Sequence, residues 1–190
     1  ACLVWLRDDL RLTDNPALFA AVKSEPTKVV PVFIHDIEDP SPWPVRGAAL
    51  WWKSESLIAF DRSLRDHCES RLIIRSGRVT EELFKLVAET GATKVYFNRM
   101  VEPWYHGRDI SVQQFLQEKG LVVETFKAAL LQEPWEGDPP RLPTANIQGQ
   151  GCWNEVKPGK IEHIRTPCEL VASDLVANVD MADVVSIINA

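Results

Sequence analysis

The sequence predicts an α/β fold, a Rossmann-like doubly wound sheet of about five parallel strands with helices on both faces. Three observations carry this. Five short runs of Val, Ile, Leu, Phe and Tyr lack strict polar alternation, as strands buried on both faces do. Longer stretches of helical periodicity separate them, which implies βαβ crossovers. Glycines fall where those helices should stop.

The first strand is read as Cys2–Leu6, running into the charged turn Arg7-Asp8-Asp9-Leu10-Arg11. A helix over 15–23 follows, with Asp14 as its expected N-cap and Pro16 in its first turn, where a missing N–H does no harm. The second strand is Lys28–Ile34. The helix over 47–68 carries Leu50, Leu57, Ile58 and Leu64 on one apolar face. The third strand, Arg71–Arg75, leads to a helix over 79–90, whose Thr80-Glu81-Glu82 start suits the helix dipole. Gly91 and Gly120 stop the helices over 79–90 and 106–119, ahead of strands Lys94–Phe97 and Leu121–Phe126.

After Phe126 the alternation ends. The sequence divides into the α/β domain at 1–136, an irregular Pro/Gly-rich linker at 137–165 and a short helical tail at 166–190. Thr166-Pro167-Cys168-Glu169 opens the tail with a capping-box pattern.

The formal net charge of −6 argues against a dominant nucleic-acid binder, which needs a basic surface. Residues 161–190 hold much of the excess, with Glu162, Glu169, Asp174, Asp180 and Asp183 against Arg165 alone. The cysteines Cys2, Cys68, Cys152 and Cys168 form no C-x-x-C pair, so reduced thiols are expected. No apolar run is long enough to span a bilayer. With the first strand opening at residue 2, no signal peptide is expected, although a removed transit peptide would leave no trace. An intracellular location is expected, in an organelle such as the chloroplast or else in the cytoplasm or nucleus.

Few residues declare chemistry. His35, His67, His106 and His163 are scattered, and neither H-E-x-x-H nor G-x-S-x-G occurs, so no metal site and no catalytic residue is nominated. G-x-G-x-x-G and G-x-x-x-x-G-K-[ST] are likewise missing. Ser76, Gly77 and Arg78 form a candidate phosphate contact, against the plainer reading as a strand-to-helix turn. Arg7, Asp8, Asp9, Arg11 and Asp14 cluster at the C-terminal end of the first strand, the sheet edge where open α/β folds bind ligands. A structural or docking anchor is the favoured reading of that cluster, and an anion or chromophore site the other. Trp5 and Trp51 are expected in the core or helix packing. Trp43, Trp104, Trp135 and Trp153 are expected in or near loops.

The opening LVWLRDDLRLTDNPAL closely resembles the N-terminal signature of the cryptochrome/photolyase family. Six further stretches resemble the same family in order. They are Pro31–Asp36, Trp51–Lys53 with Ser56–Arg65, Leu72–Gly77, Gly91–Asn98, Arg108-Asp109 and Leu130–Glu136. The pattern is nearest to plant-type cryptochromes and covers about residues 2–136.

The resemblance implies the family's N-terminal α/β domain, which sometimes holds an antenna chromophore. It does not extend to the helical domain that binds FAD and carries the redox tryptophans, so FAD is not expected in this chain alone. Where similar pterin-binding photolyases place an Asn-Glu pair, this chain has Trp104 and Tyr105, which fill the antenna space or stack on another flat ligand.

Three functions are compatible with this reading. The leading expectation is a non-catalytic assembly module that binds another protein. The second is the antenna-binding part (pterin or flavin type) of a blue-light photoreceptor or DNA photolyase. The third is a nucleotide-binding protein.

Overall fold

The computed structural model describes residues 1–24, 28–130 and 133–136. The expected linker at 137–165 and tail at 166–190, with Trp153, Cys152 and Cys168, lie outside them. The elements run β1 (Cys2–Leu6), α1 (Pro16–Ser24), β2 (Val29–Asp36), α2 (Ala48–Cys68), β3 (Ile73–Gly77), α3 (Val79–Thr90), β4 (Lys94–Asn98), α4 (Pro103–Glu118) and β5 (Val122–Phe126). All five strands pair in parallel in the order β3-β2-β1-β4-β5. The chain therefore reverses its direction of growth between β1 and β4, which makes their C-terminal ends the topological switch point.

Strand alternation divides the core into two layers. Cys2, Val4 and Leu6 face α1 and α2, packing with Leu18, Leu57, Phe60 and Leu64. Leu3 and Trp5 face α3 and α4, packing with Leu83, Leu86, Val112 and Leu116. Every residue of β1 is buried, as a central parallel strand covered on both faces requires. That is why its sequence is continuously apolar rather than alternating.

Three local expectations are corrected. Asn15, not Asp14, caps α1, because the Asn15 side-chain oxygen accepts the Leu18 N–H at 3.2 Å. Asp14 instead adopts a left-handed φ of 54° in the preceding turn. The fourth helix begins at Pro103 rather than residue 106, with proline in its first turn, so Trp104 is helical. Trp51 is 61% exposed, not packed. The buried stripe of α2 begins only at Ser54 and continues through Leu57, Phe60, Asp61, Leu64 and Cys68. The turn before it borders the cleft at the C-terminal edge of the sheet, with Leu50 still packed against the core.

Candidate functional site

A cleft of about 480 Å³ opens over the C-terminal ends of β1 and β2. Its floor is Arg7, Phe33, Ile34, His35 and Asp36. One wall is the approach to α2 and its first turns, with Pro44, Val45, Arg46, Leu50 and Lys53. The other is the start of α4, with Met100, Tyr105 and Arg108. The two walls come from opposite faces of the sheet, so the doubly wound topology itself creates the gap between them. The volume lies in the range of small-molecule sites.

The floor is held by a buried ionic network. Arg7 donates from Nη1 to Asp109 Oδ2 at 2.6 Å, and both side chains are almost fully buried. Its Nη2 reaches the Asn98 carbonyl. The guanidinium lies over Trp5 and Phe97, 4.4 and 5.1 Å from the ring centres. Burial pulls the Arg7 pKa below its ordinary value, against the raising effect of Asp109 and Asp9. Asp9 accepts the Arg7 backbone N–H at 2.8 Å and the Asn98 amide, so the charged turn after β1 closes on β4. Asn98 in turn bonds the Ala17 N–H and the Asn15 side chain, tying the same knot to α1.

Arg108 forms the α4 wall. Its guanidinium sits between Trp5 and Tyr105, 5.1 and 4.9 Å from the ring centres. It donates to Asp36 at 3.4 Å and to Asp109 at 3.2 Å. The Tyr105 hydroxyl lies 3.5 Å from Asp39 Oδ2, and burial, with Asp39 next, raises its pKa. On the other wall, Lys53 pairs with Asp8 and sits 5.8 Å from the Phe33 ring centre. His35 is held below its ordinary pKa by burial, opposed by Asp36 and Asp39.

The residues singled out from sequence divide between places. Arg7, Asp8 and Tyr105 line the cleft. Asp9 and Arg11 line a smaller neighbouring hollow of about 190 Å³ with Asn98 and Arg99. Arg11 and Asp14 form an exposed pair at 3.9 Å. Trp104 meets Trp43 edge-on at 5.6 Å and is not among the lining residues. Ser76 and Gly77 end β3 in register with His35 and Asp36 of the cleft floor, but do not themselves line the cleft. Arg78 precedes α3 and is committed to Glu38 and Glu81. Sequence reasoning did not nominate His35, Asp36, Asp39, Arg46, Lys53 or Asp109 as a group. They come from β2, its following loop, α2 and α4, and nothing in their spacing announces that they converge.

Among the described residues no group of three or more His, Cys, Asp or Glu is placed to hold a metal ion, and no helix is long and apolar enough to cross a membrane.

A family model described as DNA photolyase matches residues 2–143. The chain is 37% identical over 134 residues to cryptochrome-1 of Arabidopsis thaliana, covering 70% of this chain and 19% of that protein. It is 41% identical over 132 residues to the deoxyribodipyrimidine photo-lyase of Agrobacterium fabrum, covering 70% of this chain and 26% of that protein. The crystal structure of a bacterial class III photolyase from Agrobacterium tumefaciens aligns with a TM-score of 0.77 at 33% identity, covering 96% of this chain and 37% of that one. The chain thus spans only about a fifth to a quarter of the length of these curated relatives.

Proposed function

The chain belongs to the DNA photolyase family, and from that premise we propose that its α/β domain holds a flat light-absorbing antenna chromophore for a blue-light photoreceptor or DNA photolyase. The single observation that carries this reading is the cleft at the C-terminal edge of the sheet, between the α2 and α4 walls. Tyr105 and Phe33 offer aromatic surface, and the ion-paired Arg7 and Arg108 hold the floor and the α4 wall in place. Tyr105 borders open volume there, and a large planar ring stacks on such a surface. In this role the domain binds and orients a pigment and performs no bond chemistry itself.

The test is titration of the purified full chain with flavin mononucleotide and with a reduced folate, followed by tryptophan quenching and equilibrium dialysis. Saturable one-to-one binding that Tyr105→Ala weakens supports the reading. Retention of neither compound removes it.

A second reading, an assembly module docking on another protein, rests on the neighbouring indoles Trp51 and Trp52. They are 61% and 68% exposed on the outer face of α2. Exposed aromatic pairs of this kind mark contact surfaces. Sedimentation velocity with and without Trp51→Ser and Trp52→Ser tests it, and an unchanged monomer across concentrations counts against self-assembly.

A further inference from the structure

We infer that the outer face of α2 pairs with the same face of a second copy of this chain, the two helices running antiparallel. This rests on the assembly reading and names its partner.

The helix has two sides. Ser54, Leu57, Phe60, Asp61, Leu64 and Cys68 form its buried stripe. Trp51, Trp52, Glu55, Arg62 and Asp66 are exposed and lie on the far side, with Arg65 at its border. The helix has 21 residues and is therefore about 30 Å long, enough for several turns of contact.

Two charges on this face are unspent. Elsewhere on the surface Arg75 pairs with Glu89, Arg78 with Glu38 and Lys85 with Glu82. Among the described residues the side chains of Glu55 and Arg62 make no hydrogen bond and no ion pair. They stand two turns apart on one line of the helix surface, about 10 Å along the axis, so they do not meet each other.

A reversed second copy satisfies both. In a two-fold pair, whatever one residue contacts on the other copy is contacted back in the same way. With the symmetry axis level with Ile58 and Ala59, Glu55 of each copy faces Arg62 of the other. The same register sets Trp51 beside Arg65 and Trp52 beside Asp66. A guanidinium stacks on an indole face, and a carboxylate receives an indole N–H. Arg65 is already held by Asp61, so its planar group is presented with little freedom left to lose. Ala59, at the crossing, is small enough for the two backbones to approach closely. A parallel pair would instead set Glu55 against Glu55 and Arg62 against Arg62, opposing like charges. Tryptophan and arginine are also the side chains enriched at protein contacts.

Sedimentation velocity of the full chain across the micromolar range, with charge-reversed variants, tests this. The unaltered chain should dimerise. Glu55→Arg or Arg62→Glu alone opposes like charges at both symmetric contacts and should weaken the dimer about tenfold. The double variant restores opposite signs and should recover the dimer, as should an equimolar mixture of the two single variants. A chain that stays monomeric at every concentration overturns the inference and leaves the face to a different protein, so the assembly reading stands. Dimerisation that neither reversal weakens overturns the inference too, as does a double variant that fails to recover. A dimer unchanged by Trp51→Ser with Trp52→Ser overturns the inference and the assembly reading together. All these positions are exposed, and circular dichroism of each variant checks that it is folded. Where a reversal disturbs the helix, Glu55→Gln and Arg62→Gln replace it, each weakening the dimer by a smaller factor; no weakening in either overturns the inference.

Discussion

Arg7 and Asp109 meet at 2.6 Å in the interior although 102 residues separate them. One directly follows the first strand and the other lies on the last described helix. Their contact joins the charged turn after β1 to the α4 wall and so fixes one side of the cleft. The signature turn, for all its charge, acts here first as a brace. Its buried cation is stacked on Trp5, and its neighbour Asp9 is bonded across to β4.

Removing one partner of that brace should be costly. Asp109→Leu leaves the Arg7 guanidinium buried without its carboxylate, and a buried pair broken in this way loses about 3–5 kcal/mol. Urea unfolding followed by circular dichroism measures it. The double variant Arg7→Met with Asp109→Leu should recover part of the loss, because no uncompensated charge remains. A double variant no better than the single one would show that the pair is needed for its hydrogen bonds to Asn98 and Arg108 rather than for charge balance.

How much of this was legible beforehand depended on distance along the chain. The five strands were readable because each is a short apolar run whose pattern is set locally by burial on both faces. The Gly91 stop was readable because a left-handed helix terminus favours glycine, and φ there is 65°. The cleft was not readable. Asp39, Arg46, Lys53 and Arg108 share no spacing, and only the crossover geometry brings them to one edge. Asp109 was visible as part of a motif, but its partner lay at the other end of the domain. Trp51 misled because it follows Leu50, which packs against the core, and so points about 100° away from the buried stripe of its helix.

A second buried carboxylate, Asp61, should matter for a different reason. It is 1% exposed and accepts the Leu72 backbone N–H at 2.9 Å, fixing the entry to β3. It also receives Arg65 and lies 3.7 Å from Arg71. Asp61→Ala strands a buried N–H, which costs about 1–3 kcal/mol. Arg65→Ala, whose side chain is 47% exposed, should cost less than about 1 kcal/mol. Equal losses in the two variants would place the energy in the ion pair instead of the backbone bond.

Acid should weaken the domain partly through His35. Its pKa is lowered on folding by burial, against Asp36 and Asp39, with Lys53 lowering it further. The unfolded chain therefore takes up this proton first as pH falls through the ordinary value of 6.5. The sign is fixed: the neutral imidazole has no effect above that range, and stability falls as pH drops through the unfolded and then the folded value. Melting temperatures of the wild type and His35→Gln, recorded across this range, should diverge in slope, with the variant losing less. Parallel curves would assign the acid sensitivity to the carboxylates alone.

The end of β3 offers a last test, in which backbone and side-chain effects can be told apart. Gly77 has φ near 151°, a conformation that side chains rarely adopt. A Cβ placed there would also lie 2.9 Å from Glu82 Cγ. Its carbonyl accepts the Ile37 N–H at 3.4 Å, at the start of the loop that carries Asp39 and Arg46. Gly77→Ala should therefore cost about 1–3 kcal/mol from the strained backbone, with the contact to Glu82 adding to it. Adding Glu82→Ala relieves the contact and leaves the φ penalty, so the double variant should recover only part of the loss in urea unfolding. Full recovery would mean that the backbone relaxes freely and that crowding by Glu82 was the whole cost. No loss in the single variant would mean that the turn after β3 readjusts without strain.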